Sequence, residues 1–176
     1  VDGNRRWRLF IVYSAEQATS EDHTRQMVDS FRSVTETAIP ASSSPMTINE
    51  AAHHGSLLAD AFAMPVHWYY NRDALDRDYP DLTTFLAPLP HHPDSILRRS
   101  QYDPVNEQAD ILHDQARFWG QRNIHYHQNL LAGENTVNFQ LARALHEQVK
   151  SHGSYDPTRW AELYVQLMRT PDWAPY

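Results

Sequence analysis

The amino-acid sequence predicts an all-α protein. Several segments place apolar side chains at the spacing of a helix that buries one face, and two of them begin with strong capping signals. We find no segment with the alternating apolar and polar side chains of a β-strand. More than half of the 11 prolines lie between the predicted helices, which favours long irregular connections.

The first 45 residues differ in pattern from the rest of the chain. A sparse apolar stripe over residues 20–34 predicts a weak amphipathic helix that Ser20 could cap. Two prolines around three serines in residues 39–45 are typical of a linker. We therefore divide the chain into an appendage or linker of unknown role, residues 1–45, and a helical domain, residues 46–176.

The helical domain opens with a predicted helix that Asn49 would cap and Pro65 would end. Its apolar face consists of Leu57, Leu58, Ala61 and Phe62. The prolines at positions 80, 88, 90, 93 and 104 exclude long regular elements, so residues 68–104 are predicted to be mostly loop. A second helix is predicted from about Asp110 to Phe118.

Two later helices have the clearest signals at their ends. Thr136 is predicted to cap a helix that ends at His152-Gly153, because glycine readily adopts the left-handed conformation that follows many helices. Asp156-Pro157 combines a capping side chain with a proline at the first helical position. The apolar faces are Val137, Leu141, Ala144, Leu145 and Val149 in the first, and Trp160, Leu163, Tyr164, Leu167 and Met168 in the second.

Composition excludes several classes of function. The chain has no cysteine, which excludes disulfide scaffolds, thiolate zinc sites and cysteine nucleophiles. A net charge of −7 argues against binding of the nucleic-acid backbone. The longest apolar run near the start, Leu9–Tyr13, is far shorter than the roughly 20 residues of a membrane helix. We expect a cytoplasmic protein without nucleic-acid or membrane partners.

Two polar features stand out among the predicted helices. Gly133-Glu134-Asn135-Thr136 places three oxygen-bearing side chains in a row at a helix start, and oxygen ligands suit a hard cation such as Mg²⁺. The same tetrapeptide also suits an ordinary capping loop. Asp60 lies among apolar residues of the first helix, so it is either buried with a partner or placed at the helix edge in solvent.

Aromatic and histidine residues offer further candidates. The run His67-Trp68-Tyr69-Tyr70 suits either a purine or ribose face or the edge of a core. His125 and His127 would point apart on a helix, so we do not predict a zinc site there, and we interpret the 11 histidines as a compositional feature. The chain has neither a glycine-rich phosphate loop nor a Gly-x-Ser-x-Gly elbow.

Three segments in order from Met46 onward carry a resemblance to a known family. They are residues 55–68, residues 132–138, and residues 155–171, which begin Tyr155-Asp156-Pro157. The chain resembles the ADP-ribosylglycohydrolase family, in the branch whose metal motif has the Gly-Glu/Asp-Asn-Thr form. The resemblance implies an all-α orthogonal helical bundle. It also implies a hydrolase that cleaves the glycosidic bond between ADP-ribose and a modified substrate.

The resemblance implies roles for individual residues and a cofactor. Two Mg²⁺ ions would hold the ribose diol and a water molecule. Glu134 and Asn135 fall on metal-ligand positions, and Asp60 and Glu134 are the implied catalytic residues. The implied contacts with the ADP-ribose substrate come from His67, which falls on a glutamate near the scissile bond, and from Trp68 and Asn138.

The chain departs from the family pattern in ways that define an alternative. Gly133 stands where the family has a threonine ligand, and Asn135 and His67 replace carboxylates. A later aspartate motif that completes the metal site is absent up to Tyr176, so we expect this chain to be the first part of a longer domain. The alternatives are a non-catalytic relative that binds ADP-ribose, a structural, crystallin-like relative, and an all-α interaction domain with a coincidental resemblance.

Overall fold

A computed structural model describes residues 47–171 and residue 173 of the chain. Within that part it contains α-helices, short 3₁₀ helices and loops but no strand, which confirms the all-α class. The predicted helix over residues 20–34 and the linker over residues 39–45 lie outside the described residues. The α-helices are α1 (Ile48–Ala63), α2 (Arg72–Asp78), α3 (Val137–His152) and α4 (Pro157–Arg169).

Helix α1 begins two residues earlier than predicted. Thr47 caps it, because the Thr47 hydroxyl accepts a hydrogen bond from the Glu50 N–H (3.2 Å) while the Glu50 carboxylate accepts one from the Thr47 N–H (2.9 Å). This reciprocal capping box satisfies two donors at once, so the prediction of Asn49 as the cap is wrong. Helix α1 ends at Ala63, and a 3₁₀ helix, Met64–Val66, carries Pro65.

The stretch between Trp68 and Pro104 is loop over most of its length but contains one short α-helix. Helix α2 begins after Asn71, whose side-chain oxygen accepts a hydrogen bond from the Ala74 N–H (3.1 Å). The prediction that mostly loop would follow Trp68 missed this helix, because residues 66–79 contain no proline and Asn71 is a good cap. A 3₁₀ helix, Ile96–Arg99, follows later.

The predicted helix from Asp110 to Phe118 is wrong. The chain forms a six-residue 3₁₀ helix, His113–Phe118, instead. The Asp110 carboxylate accepts hydrogen bonds from the N–H groups of Leu112 (3.2 Å) and His113 (3.0 Å), which stabilises a tight turn. His113 has a φ of 51°, a left-handed backbone conformation that a continuous α-helix excludes.

The predicted ends of α3 and the predicted start of α4 are confirmed. Thr136 precedes α3, and Gly153 ends it with a φ of 77°. Asp156 caps α4, because its carboxylate accepts from the N–H groups of Thr158 (2.9 Å) and Arg159 (3.1 Å), and Pro157 occupies the first turn. Aspartate capping and a following proline therefore mark this boundary through local interactions.

Helix packing brings the two 16-residue helices, α1 and α3, into contact. Helix α1 packs against α3, and α3 packs against α4. One apolar cluster joins α3 and α4 to the 3₁₀ region through Leu112, Val137 and Met168, and a second surrounds α2 through Tyr69, Ala74 and Tyr79. In the described part of the chain, none of the helices has both the length and the apolar character needed to span a bilayer.

Candidate functional site

Asp60 joins helix α1 to the loop that precedes α3. Its side chain is only 6% exposed, and its two carboxylate oxygens accept three hydrogen bonds from this loop. The donors are the Thr136 N–H (2.8 Å), the Thr136 hydroxyl (2.8 Å) and the Asn135 side-chain amide (3.0 Å). Of the two alternatives left open for Asp60, the structure therefore shows the buried carboxylate with partners, as a buried charge requires.

Asn135 strengthens the same connection. Its side-chain nitrogen donates to the Leu57 carbonyl (2.7 Å) as well as to Asp60, so it bonds two positions one turn apart on α1. The Asn135 carbonyl accepts from the Gln140 side chain (2.8 Å), which fixes the loop to α3. The Thr136 hydroxyl bonds to Asp60 instead of capping its own helix. The loop is held mainly by α1, 75 residues away in the chain.

Glu134 is presented differently from its neighbours. The side chain is exposed, and Oε2 accepts a hydrogen bond from the Leu131 N–H (2.7 Å) across a turn that Gly133 closes with a φ of 86°. The other oxygen, Oε1, has no protein partner within residues 47–171. Asp60 contacts the two residues that follow Glu134, so the structure brings helix α1 and the loop before α3 together. Asp60 is buried at this contact, whereas Glu134 lies at the surface.

His67 and Trp68 lie just after the 3₁₀ helix that follows α1. His67 is partly buried, and its Nδ1 shares a hydrogen bond with Nε2 of His127 (3.1 Å). Trp68 is 44% exposed and has a φ of 68°, an uncommon backbone conformation for a bulky residue. The backbone on either side of Trp68 is anchored, because the His67 carbonyl accepts from His92 (2.9 Å) and the Tyr70 N–H donates to Asp94 (2.8 Å).

Asn138 lies in the first turn of α3 with an exposed side chain. Its proposed contact with a substrate stays a prediction, as do the catalytic and ligand roles of Asp60, Glu134, Asn135, His67 and Trp68.

A cluster of buried histidines beside His67 was not predicted. His92, His125 and His127 are 1%, 0% and 4% exposed. The interpretation of the histidines as compositional is therefore wrong for these three. It assumed that residues 125–127 are helical, but they lie in a turn, where the rings of His125 and His127 are 5.9 Å apart. In an extended chain, side chains at i and i+2 point to the same face, so the spacing of these two histidines could have indicated that they lie together.

Burial controls the protonation of this cluster. Removal from water lowers the pKa of His125 to about 4 and that of His127 to about 3, because the protonated imidazole is disfavoured in the interior. Burial also lowers the pKa of His67, while the nearby Asp60 carboxylate raises it by a smaller amount. The histidine cluster is therefore neutral at pH 7, and Asp60 connects it electrostatically to the loop before α3.

The side chains predicted to bind Mg²⁺ have the oxygen atoms that this ion prefers, but they are too few to complete its coordination. Glu134 Oε1 and Asn135 Oδ1 are oxygen donors, which hard cations prefer, but Mg²⁺ takes about six ligands. Among residues 47–171 and 173, no group of three or more histidine, aspartate or glutamate side chains is arranged to hold a metal ion. These two residues would therefore need further oxygen ligands to complete a site.

Comparison of the chain with protein-family models, with curated proteins and with solved structures finds no match.

Proposed function

We propose that this chain is an ADP-ribosylglycohydrolase-like hydrolase, which cleaves the glycosidic bond between ADP-ribose and a modified substrate with Mg²⁺. The carrying observation is the contact of Asp60 with Asn135 and Thr136. These residues belong to two of the three segments on which the resemblance rests. A shared site requires the two segments to meet, and they meet through three hydrogen bonds to one buried carboxylate.

Within this proposal the polar residues have different tasks. The resemblance implies a catalytic role for Asp60, but we assign it a positioning role here, because both of its oxygens accept hydrogen bonds from the loop that it holds. Glu134 and Asn135 would hold Mg²⁺ through the side-chain oxygens that have no protein partner in the described part of the chain. Bound Mg²⁺ would supply Lewis acidity and orient the ribose hydroxyls. His67 and Trp68 would contact the sugar and the base.

The broader setting follows from the same proposal. The helices would belong to the family's orthogonal bundle, in which α1 packs against α3. The proposal places the protein in the cytoplasm, and a chain without cysteine is compatible with that reducing compartment.

The direct test measures release of ADP-ribose from ADP-ribosylated substrate by the protein with and without Mg²⁺. Glu134→Gln removes a charge from an exposed side chain and should reduce metal-dependent release by at least tenfold. Glu162→Gln makes the same change at an exposed position of α4 and should leave release unchanged. Absence of both ADP-ribose binding and ADP-ribose release in the wild-type protein would refute the proposal.

A non-catalytic relative is the second candidate, and one observation favours it. Asp60 directs both of its carboxylate oxygens at protein donors, and one oxygen of Glu134 accepts a backbone hydrogen bond within its own turn. Such internal bonding is sufficient for a structural connection between two helices. This candidate predicts that Glu134→Gln changes neither ADP-ribose binding nor release and alters the free energy of unfolding by less than about 0.5 kcal/mol.

A further inference from the structure

His67 and the three buried histidines beside it form two pairs that differ in the partners of their ring nitrogens. In His92, Nδ1 accepts from the Asp94 N–H (3.1 Å) and Nε2–H donates to the His67 carbonyl (2.9 Å). In His125, Nδ1 accepts from the His127 N–H (3.0 Å) and Nε2–H donates to the Pro65 carbonyl (2.9 Å). Backbone groups therefore fix both rings as neutral Nε2–H tautomers.

The other pair, His67 and His127, has a single hydrogen bond between them. It joins Nδ1 of His67 to Nε2 of His127 at 3.1 Å. Nδ1 of His127 is buried and has no partner among the described residues. Nε2 of His67 also has no protein partner there, but it is not among the enclosed unpaired atoms and keeps access to solvent.

Only one direction of this hydrogen bond keeps every ring N–H bonded or solvated. If His67 donated through Nδ1–H, neutral His127 would carry its own proton on the enclosed Nδ1, which would bury an unpaired N–H. If His127 donates through Nε2–H, its enclosed Nδ1 carries no proton, and His67 carries its proton on the accessible Nε2. The second arrangement avoids the buried unpaired donor, which is rare in folded proteins.

We propose that His127 is a positioning residue for His67: its Nε2–H donates to Nδ1 of His67, fixes the His67 proton on Nε2, and presents that N–H to an oxygen atom of the ligand. As applied to ADP-ribose, the inference rests on the proposed function. It gives His67 a different role from the carboxylate that the family resemblance implies at this position, because a neutral Nε2–H donates a hydrogen bond and a carboxylate accepts one.

The groups around the pair are consistent with this assignment. Asp60 on α1 is the anionic group that acts on His67. His125 and Tyr126 lie beside His127 in the same segment, and the Tyr126 and His127 rings are 5.0 Å apart in an edge-to-face arrangement. His92 comes from another loop and packs against the His125 ring at 4.9 Å. His92 and His125 are neutral and fully bonded, so neither offers a proton acceptor that could reverse the direction of the His67–His127 bond.

The experiment is two-bond ¹H–¹⁵N correlation NMR of the ¹⁵N-labelled protein at pH 7.5, assigned by single histidine variants. We expect both His67 and His127 to be Nε2–H tautomers. His127→Leu should shift His67 to a mixture of tautomers, and His127→Gln, whose amide can still donate, should restore the wild-type signals. His146→Gln, in a histidine of α3 outside the cluster, is the matched control and should leave His67 unchanged. A wild-type His67 that carries its proton on Nδ1, or a tautomer of His67 that is the same in His127→Leu, would overturn the inference.

The wild-type spectrum decides the proton position even if His127→Leu fails to fold. Addition of ADP-ribose separates this inference from the proposed function. A shift of the His67 Nε2 signal together with a five- to tenfold weaker affinity in His127→Leu, about the effect of one hydrogen bond, supports both. The predicted tautomers without any response to ADP-ribose would leave His127 as a positioning residue and refute ADP-ribose as the ligand.

Discussion

Asp60 and His127 are buried almost equally, with 6% and 4% of their surface exposed, but they differ in how completely their polar atoms are hydrogen-bonded. Asp60 accepts three hydrogen bonds and directs both oxygens at the loop before α3. His127 bonds one ring nitrogen to His67 and leaves the other without a partner among the described residues. A fully bonded buried group stabilises the fold, whereas a partly bonded one costs stability and points to a role beyond packing.

Removal of the Asp60 carboxylate should produce the largest change in the free energy of unfolding. Asp60→Ala leaves three donors of Asn135 and Thr136 unpaired in the interior, and we expect the free energy of unfolding to fall by about 3–5 kcal/mol. Urea denaturation followed by circular dichroism measures the loss. Asp76→Ala, at an exposed position of α2, is the control and should change stability by less than about 0.5 kcal/mol. A loss of similar size in both variants would show that the Asp60 hydrogen bonds do not hold the helices together.

A second carboxylate in the loop tests the link between structure and metal binding. Asn135→Asp removes the donor to Asp60 and to the Leu57 carbonyl and places two acidic side chains in contact, so we expect a loss of about 2 kcal/mol in the absence of metal. If the loop is a Mg²⁺ site, added Mg²⁺ should raise the melting temperature of Asn135→Asp and so recover part of its lost stability. The wild-type melting temperature should rise by a smaller amount. Equal responses of both proteins to Mg²⁺ would argue against metal ligation at position 135.

The buried histidines make stability depend on pH. The folded-state pKa values of His125 and His127 are lowered to about 4 and about 3, so the unfolded chain binds more protons than the folded chain below pH 6.5. Stability is therefore full above about pH 6.5 and falls as the pH drops toward 4, by at most about 1.4 kcal/mol per pH unit for each histidine.

Urea midpoints measured between pH 7.5 and pH 4.5 check this prediction. His146→Gln should reproduce the wild-type slope, because His146 lies outside the cluster. A slope of zero between pH 6.5 and pH 5 would mean that the histidines are not held neutral by burial.

The smallest effect comes from the Thr136 hydroxyl. Thr136→Val keeps the shape of the side chain and removes one of the three bonds to the Asp60 carboxylate, so we expect a loss of about 1.5 kcal/mol. Thr84→Val at an exposed loop position is the matched control. A loss as large as that of Asp60→Ala would show that the three hydrogen bonds do not contribute separately.

Local signals in the sequence predicted the helices that end in strong caps. Gly153 and Asp156-Pro157 were placed correctly because each boundary depends on one or two residues. Thr136 was placed correctly as the residue before α3, although its hydroxyl bonds to Asp60 and does not cap the helix. The helix predicted from Asp110 was wrong because the Asp110 carboxylate and the left-handed backbone of His113 favour a tight turn over continued α-helix. Local apolar spacing contains no information about that competition.

The site was predicted in part. The sequence marked both Asp60 and the loop from Gly133 to Thr136, but their contact spans 76 residues and depends on how α1 packs against α3. The histidine cluster was missed because His67, His92 and His127 come from three separate loops and converge only in the folded chain. Their common property, burial with neutral rings, is set by tertiary packing.

We propose that the loop held by Asp60 presents Glu134 to ADP-ribose, and isothermal titration calorimetry tests this most directly. We predict that ADP-ribose binds the wild-type protein in the presence of Mg²⁺. Binding should weaken by at least tenfold in Glu134→Gln, which should melt at the wild-type temperature, and should be unchanged in Glu162→Gln. Equal affinities in all three proteins, or no heat of binding in any of them, would contradict the proposed role of Glu134.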